Sequence, residues 1–283
     1  RIMSAILDEK PNVLLDKFLQ SYSEVHEFDK QKALRLIQEA IHHYRTQWSE
    51  NSYQGQLEKR WYESLNNDDC DDQSYLTEPA YDVYDDDYYF TDLWACWHMY
   101  SRPYLRSLSK INPQVPTQSI LEMLENVKSV VDLGCGIGYT TAALKQLFPK
   151  ARVYGTNLQN TKQYEFCEKM SEDFDFELVG SPRQIHSGAD FIFASEYFEH
   201  IRFVIEHLSE ILEFLKPKFL YIANAFNTIS VGHFEWYRQS NNPLLVTHQS
   251  KISGEFNGLL RERGYKMIRT KNWNQRPLFW GKI

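Results

Sequence analysis

The chain is predicted to be an α/β protein, with a mostly parallel sheet layered with helices behind a mainly helical N-terminal cap. Three observations carry this. From about residue 118 onward, apolar runs of strand length alternate with segments of helical spacing, the signature of β–α–β units. The first of these strands runs straight into a turn built on Gly134, Gly136 and Gly138, after which Tyr139 onward reads as helix. Ahead of them, residues 12–27 and 30–48 place apolar side chains three and four apart, as amphipathic helices do.

Bulk composition narrows the classes. At 283 residues, 42% of them apolar, the chain can bury a sizeable core as one decorated domain or two small ones. No stretch approaches the roughly 18 uninterrupted apolar residues of a membrane span, and Arg1-Ile-Met-Ser lacks an apolar signal core. Cys70, Cys96, Cys135 and Cys167 are scattered without C-x-x-C spacing. That argues against zinc fingers and disulfide frameworks, and the expected location is a reducing cytoplasm. A net charge of −7 weighs against non-specific nucleic-acid binding, which relies on basic side chains neutralising phosphates. The basic cluster Arg261, Arg263, Lys266, Arg269 and Lys271 reads as a solvated helix face and strand.

In chain order, Val13, Leu14, Phe18 and Leu19 mark the first helix, and Leu34, Leu36, Ile37 and Ile41 the second, with Asp29 placed to cap it. No chemistry is evident in either. From Trp61 to Ser101 no Lys or Arg occurs, while aspartates and aromatics accumulate. Asp68–Asp72 reads as an exposed loop, and the aromatic part as a folded lid or helical cap. Most of these rings should act as structural glue, with one or two of Tyr81, Tyr84, Tyr89 and Trp94 reaching a pocket. Arg102 follows, a candidate for an anionic ligand group through its planar fork, or for a salt bridge to the acidic segment. Pro113 and Pro116 mark residues 111–117 as a linker, and a short helix over 118–126 leads into the first strand. Strands are expected near 128–133, 151–157, 174–180, 189–195, 218–225, 265–271 and 277–283. Helices are expected near 138–148, 160–170, 202–215 and 250–264, with Gly264 where the last should stop.

The glycine spacing points to the ligand. A dinucleotide fingerprint reads G-x-G-x-x-G and cradles a pyrophosphate. Here it is G-x-G-x-G, preceded by an acid, which suits a cationic, amino-acid-bearing cofactor. Asp132-Leu-Gly-Cys-Gly-Ile-Gly138 closely resembles the first motif of class I S-adenosylmethionine-dependent methyltransferases. The resemblance covers about residues 118–283. It implies a Rossmann-like seven-stranded sheet with helices on both faces and a final antiparallel hairpin, as a cofactor-binding domain over 118–283 behind a cap over 1–117. It further implies S-adenosylmethionine contacts from Asp132, Gly134, Cys135, Gly136, Gly138 and Tyr139. The end of the second strand adds Asn157 and Leu158, Asn157 standing where the family has an acid for the ribose hydroxyls. Ser181 is the candidate near adenine, and Arg102 the candidate for the cofactor carboxylate.

Ser195-Glu196-Tyr197-Phe-Glu199-His200 resembles the segment that faces the transferred methyl in small-molecule methyltransferases. On that likeness Glu196, His200 and His233 are the catalytic candidates, either histidine serving as general base. The expected function is methylation of an O or N atom of a small-molecule acceptor. Neither a D/N-P-P-Y/F motif nor a Pro-Cys nucleophile is present, so duplex DNA is not an expected substrate. Two alternatives stand beside this. Glu196, Glu199, His200 and His233, with Phe-Glu-Trp after the last, resemble the divalent-metal set of the Hen1 family of RNA 2′-O-methyltransferases, which makes RNA a competing partner. Asn157 keeps open a binding subunit that holds S-adenosylmethionine without transferring methyl.

Overall fold

The computed structural model describes residues 6–46, 49–65, 78–112, 115–270 and 277–282. Its centre is a seven-stranded sheet made of β3 (Ser129–Leu133), β4 (Arg152–Thr156), β5 (Glu177–Val179), β6 (Phe191–Ser195), β7 (Phe219–Ala223), β10 (Lys266–Arg269) and β11 (Leu278–Gly281). The order is β10-β11-β7-β6-β3-β4-β5. All pairs are parallel except β10–β11 and β11–β7. All seven expected strands are present. β3 and β7 are buried along their whole length, as strands covered on both faces must be. Helices α7 (Tyr139–Leu147), α8 (Lys162–Phe174), α9 (Val204–Leu215) and α10 (Gln249–Glu262) fill the crossovers. Thr161 caps α8 by accepting from Tyr164 N, and Gly264, at φ +85°, ends the turn after α10.

The N-terminal region is helical as expected. α1 (Pro11–Val25) begins with proline at its first position, and α2 (Lys30–Arg45) is capped by Asp29, which accepts from Gln31 N and Lys32 N. α3 (Tyr53–Ser64) is capped by Ser52. After the turn Tyr81–Asp85, α4 (Phe90–Cys96) continues through a π-helical turn over Trp97–Ser101 into α5 (Arg102–Ser107). Two cores bind this region to the sheet. Phe18 of α1 meets Phe166 of α8 edge-on at 5.2 Å, Trp97 stacks on Tyr139 at 5.7 Å, and Trp61 of α3 packs against Phe234 at 5.5 Å.

Two local readings change. Part of the expected linker over 111–117 forms an antiparallel hairpin, β1 (Ile111–Asn112) with β2 (Val115–Ser119); Pro116 is tolerated there because both strands of a two-stranded ribbon are edges. The following helix, α6 (Ile120–Met123), therefore starts two residues later than expected, at a capping box between Ser119 and Glu122. A second hairpin, β8 (Trp236–Arg238) with β9 (Val246–His248), was not anticipated; Asn241-Asn242-Pro243 between the strands is its turn signal. Of the C-terminal basic cluster, Arg263 pairs with Glu213 at 2.7 Å and Arg261 lies over the Trp280 ring, which fits a solvated face. The Asp68–Asp72 loop and Cys70 lie outside the described residues. No helix among those residues is long and apolar enough to cross a membrane.

Candidate active site

A cavity of about 1150 Å³ opens between the carboxyl ends of the parallel strands and the helical cap. This is the edge at which open α/β sheets bind ligands. Its floor is the glycine turn after β3. Gly134 N donates to Thr156 Oγ1 at 3.0 Å, Cys135 N to Thr156 O at 2.8 Å, and Gly138 N back to Cys135 O at 2.9 Å, so the turn is pinned to the neighbouring strand. Gly136 needs to be glycine for two reasons. Its φ is +54°, and its Cβ direction points into the cavity, where the nearest atom is Leu93 Cδ2 at 3.5 Å. A ligand can therefore approach the bare main chain there.

Asp132 sits beneath this turn rather than in the cavity wall. It is 2% exposed, and its carboxylate accepts from Thr141 Oγ1 at 2.7 Å, fixing the start of α7. Burial pushes its pKa up to about 7, against the pull of that hydrogen bond. Between about pH 4, the unfolded value, and pH 7 the folded protein keeps a proton that the unfolded chain has lost. Stability from this group is thus complete below about pH 4 and is lost as pH rises through 7. Asp132→Asn, which keeps an acceptor for Thr141, is expected to flatten this part of a urea-stability profile measured from about pH 4 to 8.

The other expected cofactor positions divide. Gly134, Cys135, Gly136, Tyr139, Asn157 and Leu158 line the cavity. Asn157 spends both ends of its amide locally, Nδ2 donating to Gly136 O at 2.7 Å and Oδ1 accepting from Leu158 N at 2.8 Å. Gly138 faces Cys167 and Met170 of α8 instead. Ser181 caps the turn Pro182–Gln184 and stays off the wall, although Gly180 and Pro182 on either side are part of it. Arg102 points away: 6% exposed, it donates to the main-chain carbonyls of Leu7 and Glu9 and so ties down the N-terminal segment, not the acidic one. Its neighbour Ser101 does line the cavity.

At the end of β6, Glu196 adopts φ +54°, a left-handed conformation that a glutamate takes at some cost, and it lines the cavity. Burial and the neighbouring Glu199 both raise its pKa, and its Oε1 is buried with no hydrogen-bond partner. Glu199 is fully buried. One oxygen accepts from Ala225 N at 2.9 Å, the other has no partner. His200 and His233 stand ring to ring, centroids 4.8 Å apart at 87°. His233 Nδ1 donates to Thr228 O at 2.8 Å, and His200 Nδ1 meets the Tyr84 hydroxyl at 3.0 Å. Burial lowers the pKa of both rings, that of His200 well below its usual value with His233 adding to the effect. Both are therefore neutral at neutral pH. One ligand atom from each of Glu199, His200 and His233 lies within 4.8 Å of the others.

The cap supplies the roof. Tyr89, Asp92, Cys96, Trp97, Tyr100 and Ser101 recur at three- and four-residue spacing along the α4–α5 rod, which presents one face to the cavity. Tyr81 and Tyr84 line it too, so more aromatics reach the pocket than expected; Trp94 does not, being buried and stacked on His98 at 5.1 Å. α2, read as free of chemistry, contributes His43 and Tyr44. Nothing in their local pattern distinguishes them from helix surface, because only the fold brings α4 beneath them. Gly232 leaves room for the Tyr84–His200 contact: a Cβ there would fall 1.8 Å from the Tyr84 hydroxyl and 2.5 Å from His200 Nδ1.

Comparison with known proteins identifies the family. Residues 105–270, more than half of the chain, match a family described as a methyltransferase domain. Among solved structures the chain is similar to the mitomycin 7-O-methyltransferase, at 14% identity over 100% of this chain and 76% of that one, TM-score 0.47. It is similar to an O-methyltransferase family protein from Burkholderia thailandensis, at 13% over 81% and 71%, TM-score 0.45. The S-adenosylmethionine-dependent methyltransferase SibL gives 14% over 89% and 75%, TM-score 0.48. No curated protein matches. With the family match spanning most of the sheet and the glycine turn, the chain belongs to the class I S-adenosylmethionine-dependent methyltransferases and is an enzyme whose cofactor is S-adenosylmethionine.

Proposed function

We propose that the enzyme methylates an O or N atom of a small-molecule acceptor held between the cap and the strand ends. The cavity carries this reading. Pockets for single small ligands run to about 300–1,000 Å³, so about 1150 Å³ accommodates the cofactor and a modest acceptor side by side. Gly134, Gly136 and Leu158 would hold the cofactor, with Cys135 and Tyr139 completing the wall and Asn157 steadying the turn. When bound, S-adenosylmethionine supplies an electrophilic methyl group on a sulfonium. The chain's own task is to place the acceptor atom at near-attack distance and to exclude water. His200 or His233, neutral at neutral pH, would take the acceptor's proton. Tyr84 and Thr228 hold the two rings in position.

A second reading rests on the Glu199–His200–His233 cluster. Buried carboxylate oxygens without donors, beside two neutral imidazoles, fit a divalent cation. Together with Glu196 they would hold it, and it would polarise an acceptor hydroxyl as a Lewis acid; an RNA 2′-hydroxyl is the matching substrate. Transfer of labelled methyl into a fractionated cell extract, with and without EDTA, separates the two. Label in a small-molecule fraction that survives EDTA is expected. Label in RNA that EDTA abolishes would replace the first reading with the second.

Asn157 takes a different part here from the family's acid, clasping the glycine turn through the Gly136 carbonyl. Asn157→Asp would set a carboxylate against that carbonyl. Loss of the bond costs about 1–2 kcal/mol, so S-adenosylhomocysteine should bind about tenfold more weakly by calorimetry. Unchanged or tighter binding would show that the position acts on the ribose as an acid does.

A further inference from the structure

We propose that the part of the cavity around Asp92 is a subsite for a protonated amine carried by the methyl acceptor. The inference rests on the small-molecule reading above and narrows it. Asp92 is 5% exposed and lines the cavity. Its Oδ1 accepts from the Tyr44 hydroxyl at 2.5 Å and from Gln54 Nε2 at 3.1 Å. These donors come from α2 and α3, so three helices fix the carboxylate before any ligand arrives. Oδ2 has no hydrogen-bond partner among the described residues and remains for a ligand.

The surroundings select a cation. The charges that act on Asp92 are those of His43 and Glu58, and those on Glu196 are Glu199 and Asp92. No lysine or arginine among the described residues pairs with either carboxylate. The His43 imidazole is shared with Glu58, at 3.3 Å, so Asp92 has no cation of its own among the described residues, and a neutral hydroxyl would leave the cost of its burial in place. Tyr89, Trp97 and Tyr100 line the same wall, and all three are nine-tenths or more buried. Aromatic rings beside a fixed carboxylate attract an ammonium group. They suit a metal ion poorly, since it needs several oxygen or nitrogen ligands at once. Arg202 lies elsewhere on the wall, beside Tyr81, and does not act on Asp92.

Calorimetry on the enzyme loaded with S-adenosylhomocysteine tests this with three probes of one ring and similar length: tyramine, its neutral alcohol analogue tyrosol, and 4-hydroxyphenylacetate. Tyramine should bind at least about tenfold more tightly than tyrosol, and the acid most weakly of the three. Asp92→Asn should erase the preference for tyramine while S-adenosylhomocysteine binds as it does to the parent. Equal binding of tyramine and tyrosol to the parent overturns the subsite, and this comparison decides even where Asp92→Asn fails to fold. A preference that survives Asp92→Asn overturns it as well, as does loss of cofactor binding in that variant, which would assign the carboxylate to the cofactor. Failure of the underlying reading looks different: none of the probes binds while label from S-adenosylmethionine enters RNA.

Discussion

Gly136→Asp is expected to abolish binding of S-adenosylhomocysteine while leaving the protein folded. At φ +54° any side chain is strained, but aspartate is among the residues that tolerate this region best. The strain costs about 1–3 kcal/mol, within the stability of an ordinary domain. Among the described residues, apart from its chain neighbours, the nearest atom to the new Cβ is Leu93 Cδ2 at 3.5 Å, so the carboxylate projects into the cavity where the cofactor would lie. Thermal unfolding with and without ligand makes the measurement. A ligand at about 100 times its Kd stabilises a protein by about 2.7 kcal/mol, a clear upward shift of Tm for the parent and none for the variant. Circular dichroism should be the same for both. Gly134 would be a poorer test, because a Cβ there falls 2.6 Å from the Tyr197 ring and distorts the turn itself. A Gly136→Asp protein that still shows the full shift would remove the glycine turn from the cofactor site.

His200→Ala is expected to lower kcat by about 10²–10⁴, the usual contribution of a positioned general base, with S-adenosylhomocysteine affinity unchanged. The ring is neutral because burial and the neighbouring His233 hold its pKa well below the usual range. An imidazole already unprotonated need not lose a proton before it works. The rate attributable to His200 should therefore stay flat as pH falls from 8 through 6.5, the ordinary histidine value, and drop only well below it. The same series distinguishes the two functional readings. A general base makes one histidine dominant, with Glu199→Gln and EDTA of small effect. A metal centre makes His200→Ala, His233→Ala, Glu199→Gln and EDTA fall together, since each removes the same ion.

The glycine turn and the succession of strands and helices along the chain were legible because their determinants are local. Asp29 and Thr161 cap the helices they precede, and Gly264 ends one, through hydrogen bonds and φ values set within a few residues. Strand-length apolar runs such as Ser129–Leu133 and Phe191–Ser195 announce burial on both faces without reference to partners. The E-x-x-E-H segment was visible for the same reason, as one turn at one strand end.

What the sequence could not decide is which side chains face each other across long separations. Arg102 and Asn157 show the limit: each has the right chemistry for a ligand, yet one is taken by the Leu7 and Glu9 carbonyls and the other by the Gly136 carbonyl. Tyr84, Asp92 and His43 show the converse. Their roles depend on the cap folding down over strand ends more than a hundred residues away in the case of Tyr84 and His200, and on α2 and α4 packing together in the case of the others. By itself the sequence determined the class of fold, the order of its elements along the chain and the place of the glycine turn, all written in short-range periodicity and turn chemistry. The tertiary structure alone decided the shape and charge of the cavity above that turn, because burial and hydrogen-bond partners are properties of the packed chain and not of any one segment.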